Sequence, residues 1–285
     1  MYGYFTERNY KGDLPYTDLA LERRRADIDT PGVEYTKEKC AVGYWERIKI
    51  SSKKGAESIG RPIGLYDTLG ICRADMLDSV KLEAAKDEIA GGICRILDAS
   101  EIFPGRILVC GLGNPHLTPD AIGCEAAGQI RPTMHIKEHS PKLFTKLRCA
   151  EIAVITPGVA AASGLDAAVI VRGVCDMIKP DAVIAIDALA ARDAGRIGST
   201  LQICNTGISP GSGIGNPRLA IGVETVGVPV IAIGVPTVID TRVLCNGDRA
   251  DCQPMFVSPK EINDIVSSAA SIISGGINRA LGIYS

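Results

Sequence analysis

The chain is poor in aromatic residues and has no excess of either charge. Phe, Trp and Tyr make up 5% of 285 residues, and 31 Lys and Arg stand against 33 Asp and Glu, for a formal net charge of -2. That balance argues against wrapping nucleic acid or lying on an anionic membrane. No apolar run approaches the roughly 20 residues that span a bilayer; the longest, around Val228–Ile239, is broken by Pro229, Gly234 and Pro236. The N-terminus, M-Y-G-Y-F-T-E-R-N-Y-K-G-D, lacks the apolar core of a secretory signal. The ten cysteines form no C-x-x-C pair. They read as small buried hydrophobes in a reducing cytoplasm. No H-E-x-x-H occurs around His116, His135 or His139, so zincin chemistry has no support. Ser209 and Ser212 lie in Gly/Pro loops with no base close in sequence, which disfavours a serine triad.

What is present is a large core. The chain is 46% hydrophobic, and one of this size hides roughly three-quarters of its extended surface. Residues 1–40 are polar, carry Pro15 and Pro31, and read as an N-terminal, propeptide-like arm; 41–285 read as a single α/β domain. Residues 44–50 alternate like a strand, and Ala74–Leu97 carries apolar residues at helical spacing. From residue 106 short apolar runs alternate with helical stretches. The runs are Ile107–Cys110, Ile152–Ile155, Ala182–Ile186, Leu201–Cys204 and Val228–Ile233; the helices fall around Asp120–Gln129 and Gly164–Ile178. Runs this short and β-branched suit strands covered on both faces. The texture predicts a three-layer α/β/α sandwich with a mostly parallel sheet. Pro259–Leu281 reads as a closing helix that Gly275-Gly276 weakens.

Open parallel sheets bind ligands beyond the carboxyl ends of their strands, and here those ends are rich in Gly, Pro and polar residues. Gly111-Leu112-Gly113 invites a dinucleotide reading, but His116 stands where the third glycine belongs and Pro115 and Pro119 remove amide donors. Two carboxylates stand out: Asp120 at a helix start and Asp187 closing an apolar strand. Either has a plain structural use, as a cap or a strand-end turn. As a pair in one desolvated cleft they could share a proton, one activating water and the other protonating a leaving group. The same oxygens could instead hold a divalent metal. Asn114, Arg192 and the Gly-rich loop with Gly211 and Gly213 lie where they could line the cleft and orient a peptide.

Six segments resemble the germination protease family of spore-forming bacteria: Y-T-D-L-A-L-E (16–22), G-L-G-N-P-H-L-T-P-D-A-I-G (111–123), I-K-P-D-A-V-I-A-I-D-A-L-A-A-R (178–192), N-T-G-I-S-P-G-S-G-I-G-N-P-R (205–218), V-E-T-V-G-V-P-V-I-A-I-G-V-P-T-V-I-D (223–240) and M-F-V-S-P-K-E-I-N (255–263). The resemblance implies a cytoplasmic endopeptidase of the spore core. It would degrade small acid-soluble spore proteins, and it would be made as a zymogen and assembled as a homotetramer, with a core like that of the hydrogenase-maturation endopeptidases. It implies no nucleic acid and no membrane as partner. The family's proposed catalytic aspartates fall on Asp120 and Asp187. Its substrates are cut after an acidic residue and before a large apolar one, so Thr17-Asp18-Leu19-Ala20-Leu21-Glu22 is similar to a substrate and marks self-processing between Asp18 and Leu19. A metal-dependent endopeptidase and a non-catalytic scaffold for spore proteins are the alternatives. The chain is short for the family, and Pro115, His116 and the stretch 156–164 depart from its usual loops.

Overall fold

The computed structural model describes residues 17–24, 30–72, 78–215, 218–244 and 255–283. The first 16 residues, Cys245, Cys252, Asn216 and the start of the expected helix at Ala74 lie outside the described residues. The described residues open with a 3-10 turn (Ala20–Arg23), then β1 (Val33–Cys40), β2 (Gly43–Ile50), α1 (Lys53–Ile59), β3 (Gly64–Ile71), α2 (Ser79–Ala99) and β4 (Arg106–Gly111). A second 3-10 turn (Thr118–Asp120) leads into α3 (Ile122–Gly128), α4 (Met134–His139), α5 (Pro141–Leu147), β5 (Glu151–Ile155), α6 (Ala160–Ser163), α7 (Ala167–Ile178) and β6 (Ala182–Ala191). The last part holds β7 (Thr200–Cys204), α8 (Val223–Val226), β8 (Val230–Asp240), α9 (Thr241–Leu244), β9 (Phe256–Val257) and α10 (Ile262–Ala280).

One sheet runs through the molecule in the order β1-β2-β3-β7-β8-β6-β4-β5, with β9 on β8. The pairs β4–β5, β4–β6 and β6–β8 are parallel. From β7 outward, through β3, β2 and β1, every pair is antiparallel. The expected parallel sheet is therefore one half of a mixed sheet. Leu201–Cys204 forms the strand at which direction reverses, so its loop starts at the opposite end from the other four. The expected arm enters the fold before residue 41, since Val33–Cys40 is the edge strand. Its charged, mostly exposed side chains kept it from reading as core and suit an edge that must not pair further.

Helices cover both faces. On one, α2, α3 and α10 pack on Ile107, Val109, Ile184, Ile186, Ile231 and Ile233. On the other, α7 and α8 pack through Ala168, Val171, Cys175 and Val226 onto Leu108, Cys110, Val183 and Ala185. Asp78 starts α2 by accepting from Val80 N (2.8 Å) and Lys81 N (3.1 Å). The helix then buries Ala85, Ile89, Ile93, Ile96 and Leu97 along one stripe. Gly276 does not end α10. A Cβ there would sit 2.5 Å from Ile89, so the glycine lets α10 and α2 approach closely; that packing outweighs the roughly 1 kcal/mol a helical glycine costs.

Candidate functional site

The site begins where two neighbouring strands differ in length. β4 ends at Gly111, paired with Ile186, while β6 continues. Asp187, the next residue on β6, has lost its β4 neighbour and pairs only with Gly234 of β8. Its side chain is 4% exposed and accepts a hydrogen bond from Ala188 N (2.9 Å).

Beyond β4 the chain folds back to bring up Asp120. Gly113 (φ +98) lies so near that an added Cβ would be 2.0 Å from the Asp120 carbonyl oxygen. Asn114 N donates to that carbonyl (3.1 Å) and to Asp120 Oδ2 (2.9 Å). The Asn114 side chain is used within its own loop, accepting from His116 N (3.0 Å). Thr237 Oγ1 donates to Pro119 O (2.6 Å) and ties the turn to β8.

Asp187 feels the charge of Asp120. Asp187 is pushed well above the usual aspartate range, first by burial, then by the charges of Asp120 and Asp18, against the Ala188 N–H. Burial also raises Asp120, opposed by the Asn114 N–H. Neither has a cationic partner among these causes. Cys124 lies beside them, its Sγ 3.5 Å from Gly113 O. Burial, Asp120 and Asp187 raise this thiol, so it stays protonated and is a poor nucleophile. Among the described residues no three His, Cys, Asp or Glu side chains gather as metal ligands. Gly207-Ile208-Ser209-Pro210-Gly211 has the spacing of a serine nucleophile elbow. It follows an antiparallel strand without a strand-to-helix turn at Ser209, and all three histidines are exposed.

The N-terminal segment occupies this site. Asp18 N donates to Ala190 O (3.0 Å), and the Asp18 carboxylate accepts from Ala190 N (2.9 Å) and Ser212 Oγ (2.6 Å), with Arg61 Nη2 at 3.8 Å. Arg61 also donates to Thr17 O (2.9 Å). It is aimed there by Gly60, which ends α1 in the left-handed conformation (φ 66°). Leu19 is wholly buried against Leu189, Ala191, Ile197 and Ile239. Gln202 of β7 accepts from Ala20 N (2.9 Å) and donates to Asp18 O (3.4 Å). Glu22 accepts from Arg192 N (2.7 Å) and Asp193 N (2.8 Å), and Arg192 Nη2 donates to the Glu22 carbonyl.

Of the residues singled out from sequence, Asp120 lies near enough for its charge to raise Asp187, while Asp18 meets Gly213, Leu19 packs on Leu189, and Arg192 holds Glu22 further along β6. A Cβ on Gly213 would fall 1.9 Å from the Asp18 carboxylate. Gly211 (φ +75) starts the 3-10 turn that carries Ser212 and Gly213. Arg61, Ser212 and Gln202 were not foreseen as cleft residues; for Gln202 the available signal was a lone polar residue in the run Leu201–Cys204.

The fold and this cleft define an α/β protein with a carboxylate pair beyond the end of a parallel strand and a segment of its own chain laid across it. A family model described as germination protease matches residues 18–251. The germination protease of Caldanaerobacter subterraneus subsp. tengcongensis is 36% identical over 93% of this chain and 93% of its own length. That of Bacillus subtilis is 40% identical over 81% of this chain and 64% of its own. The chain belongs to the germination protease family, and by family it is a peptidase. A NiFe hydrogenase maturation protease, HycI from Thermococcus kodakarensis, aligns at 19% identity over 67% of this chain and 98% of its own, with a TM-score of 0.39.

Proposed function

We propose that the chain is an endopeptidase that hydrolyses small acid-soluble spore proteins during germination, using Asp120 and Asp187 to activate water, and that it is made as a zymogen cut between Asp18 and Leu19. One observation carries this reading: Asp18 N donates to Ala190 O of β6, and Leu19 fills a closed pocket against Leu189 of the same strand, which also carries Asp187. An acidic residue held by Ser212 and Arg61, a large apolar residue in a closed pocket and a glutamate on two backbone amides match the pattern expected of the substrates.

Both carboxyls are raised, and the difference in their surroundings supports a division of roles. Asp187, the more deeply buried acid, holds the proton. Asp120, half-buried and supported by the Asn114 N–H, is the carboxylate that takes a proton from water. The water oxygen adds to the Asp18 carbonyl carbon. Asp187 then protonates the Leu19 nitrogen as the C–N bond breaks, leaving a free Asp18 carboxyl and a new amine at Leu19. The forespore cytoplasm and a homotetramer belong to the same reading. No helix among the described residues is long and apolar enough to cross a membrane, and exposed Leu165, Val169, Met177 and Val223, on and beside α7 and α8, offer apolar surface for self-association.

The test is incubation of the purified full chain, alone and with a small acid-soluble spore protein, with N-terminal sequencing of the products. A new N-terminus at Leu19 and fragments cut after acidic residues are expected, and both should vanish in Asp120→Asn and Asp187→Asn. Cleavage that persists in both variants overturns the aspartate mechanism.

A further inference from the structure

The two acids account for proton transfer at the Asp18–Leu19 bond but leave the carbonyl oxygen, where negative charge develops during attack, without an assigned partner. Gln202 is the side chain placed there. It is 7% exposed and stands on β7 opposite Gly234, which itself stands opposite Asp187 on β6. Residues directly paired across strands point to the same face, and neighbouring strands lie about 4.8 Å apart. Asp187 and Gln202 therefore rise from one level of the sheet, about 10 Å apart at the backbone. Between them Gly234 contributes no side chain, and its place is taken by Leu189, which would meet a Cβ at 2.5 Å.

We propose, resting on the reading that Asp18–Leu19 is the bond cut, that Gln202 is a catalytic residue of this reaction. Its side-chain amide spans the scissile bond. Nε2 donates to the Asp18 carbonyl oxygen, while Oε1 accepts from Ala20 N one residue beyond the bond and so fixes which end of the amide faces the carbonyl. The two contacts differ in length, 3.4 Å to the carbonyl and 2.9 Å from the amide. A donor set for the tetrahedral oxyanion sits beyond its best distance from the planar ground-state oxygen, and its bond tightens only as charge develops. Water supplies the oxygen that bonds to carbon. The electron pair displaced onto the carbonyl oxygen is stabilised by the Gln202 N–H and returns to carbon as the C–N bond breaks.

The experiment is self-processing of the full chain, read as the first-order appearance of the Leu19 N-terminus. Because the bond is already in the cleft, the rate reports chemistry without a KM. Gln202→Met, similar in length but without donor or acceptor, should slow the reaction roughly 10²–10³-fold. The segment should stay docked through Asp18 and Leu19, read as protection of the Arg23–Arg24 bond from trypsin at the wild-type level. Gln202→Asn keeps the amide but draws it back by one methylene, and it should be slowed similarly should the methionine variant melt early. A wild-type rate in either folded variant overturns the proposal. So does a slow variant whose Arg23–Arg24 bond has become trypsin-sensitive, since Gln202 would then serve docking alone. These results leave the aspartate reading standing, provided Asp187→Asn blocks cleavage. A wild-type chain that never cuts Asp18–Leu19 overturns the processing reading and this proposal together.

Discussion

Asp187 and Asp240 are aspartates on adjacent strands, β6 and β8, and solvent hardly reaches either: they are 4% and 1% exposed. Yet they titrate in opposite directions. Burial works to raise Asp240 too, but the Arg242 guanidinium and backbone N–H outweigh it and hold the carboxyl below its usual range. Asp187 has one backbone N–H and faces two other acids, so burial prevails and it keeps a proton. Asp67 on β3 is likewise buried beside cations, between Arg47 and Arg95. Burial alone therefore does not decide how an acid titrates; the presence or absence of a neighbouring cation does.

The strongest test of this comparison is to neutralise each acid in turn. Asp187→Asn should lower the self-processing rate roughly 10²–10⁴-fold, the span that a positioned acid or base supplies, whereas Asp240→Asn should cut its own arm near the wild-type rate. Equal losses in the two variants would erase the distinction. Next in size is Leu19→Asp, which puts a carboxylate into the pocket of Leu189, Ala191, Ile197 and Ile239. An unpaired charge in an apolar site costs several kcal/mol, so the segment should undock and processing should stop. Unchanged maturation would show that this pocket does not read the chain. Gly213→Ala acts on the same segment more gently. Its Cβ would collide with the Asp18 carboxylate and with Ala190, and trypsin sensitivity at Arg23–Arg24 should rise while the melting temperature of the rest holds.

The smallest effects are in stability. Asp187 binds its proton more tightly in the folded chain than in the unfolded one. Its contribution is complete below the ordinary aspartate range and is lost as pH rises through that range toward its own raised pKa. Asp240 behaves oppositely: its contribution is complete above the ordinary range and is lost as pH falls through its lowered pKa. Urea midpoints measured across pH should show Asp187→Asn flattening the fall on the rising side and Asp240→Asn flattening it on the acid side. At neutral pH Asp240→Asn should cost about 1–2 kcal/mol, the worth of a charged hydrogen bond reduced by solvent at the partly exposed Arg242. Slopes of the same sign in both variants would contradict the opposite titrations.

Much of the parallel half was legible along the chain. Ile107–Cys110, Ile152–Ile155 and Ala182–Ile186 are apolar on both faces because helices cover both, and a strand buried that way reads as an unbroken run. The antiparallel half was harder to read. β1 is charged and exposed, and β3 mixes Tyr66, Asp67 and Thr68 with its apolar residues. The reversal of direction at β7 is a property of pairing and leaves no mark within five residues of sequence.

The same division holds for the site. Local sequence determined that Asp120 opens a helical turn after a Gly-rich loop, that Asp187 follows an apolar strand, and that Thr17–Glu22 has the order of residues expected of a cleaved segment, because these are facts of neighbouring residues. Tertiary structure alone decided that β6 outruns β4 and leaves Asp187 without a cation among the described residues. It also decided that Arg61, Ser212 and Gln202, from three separate stretches of chain, converge on Asp18. Desolvation and convergence depend on which atoms displace water around a group, and only the packed fold specifies those atoms.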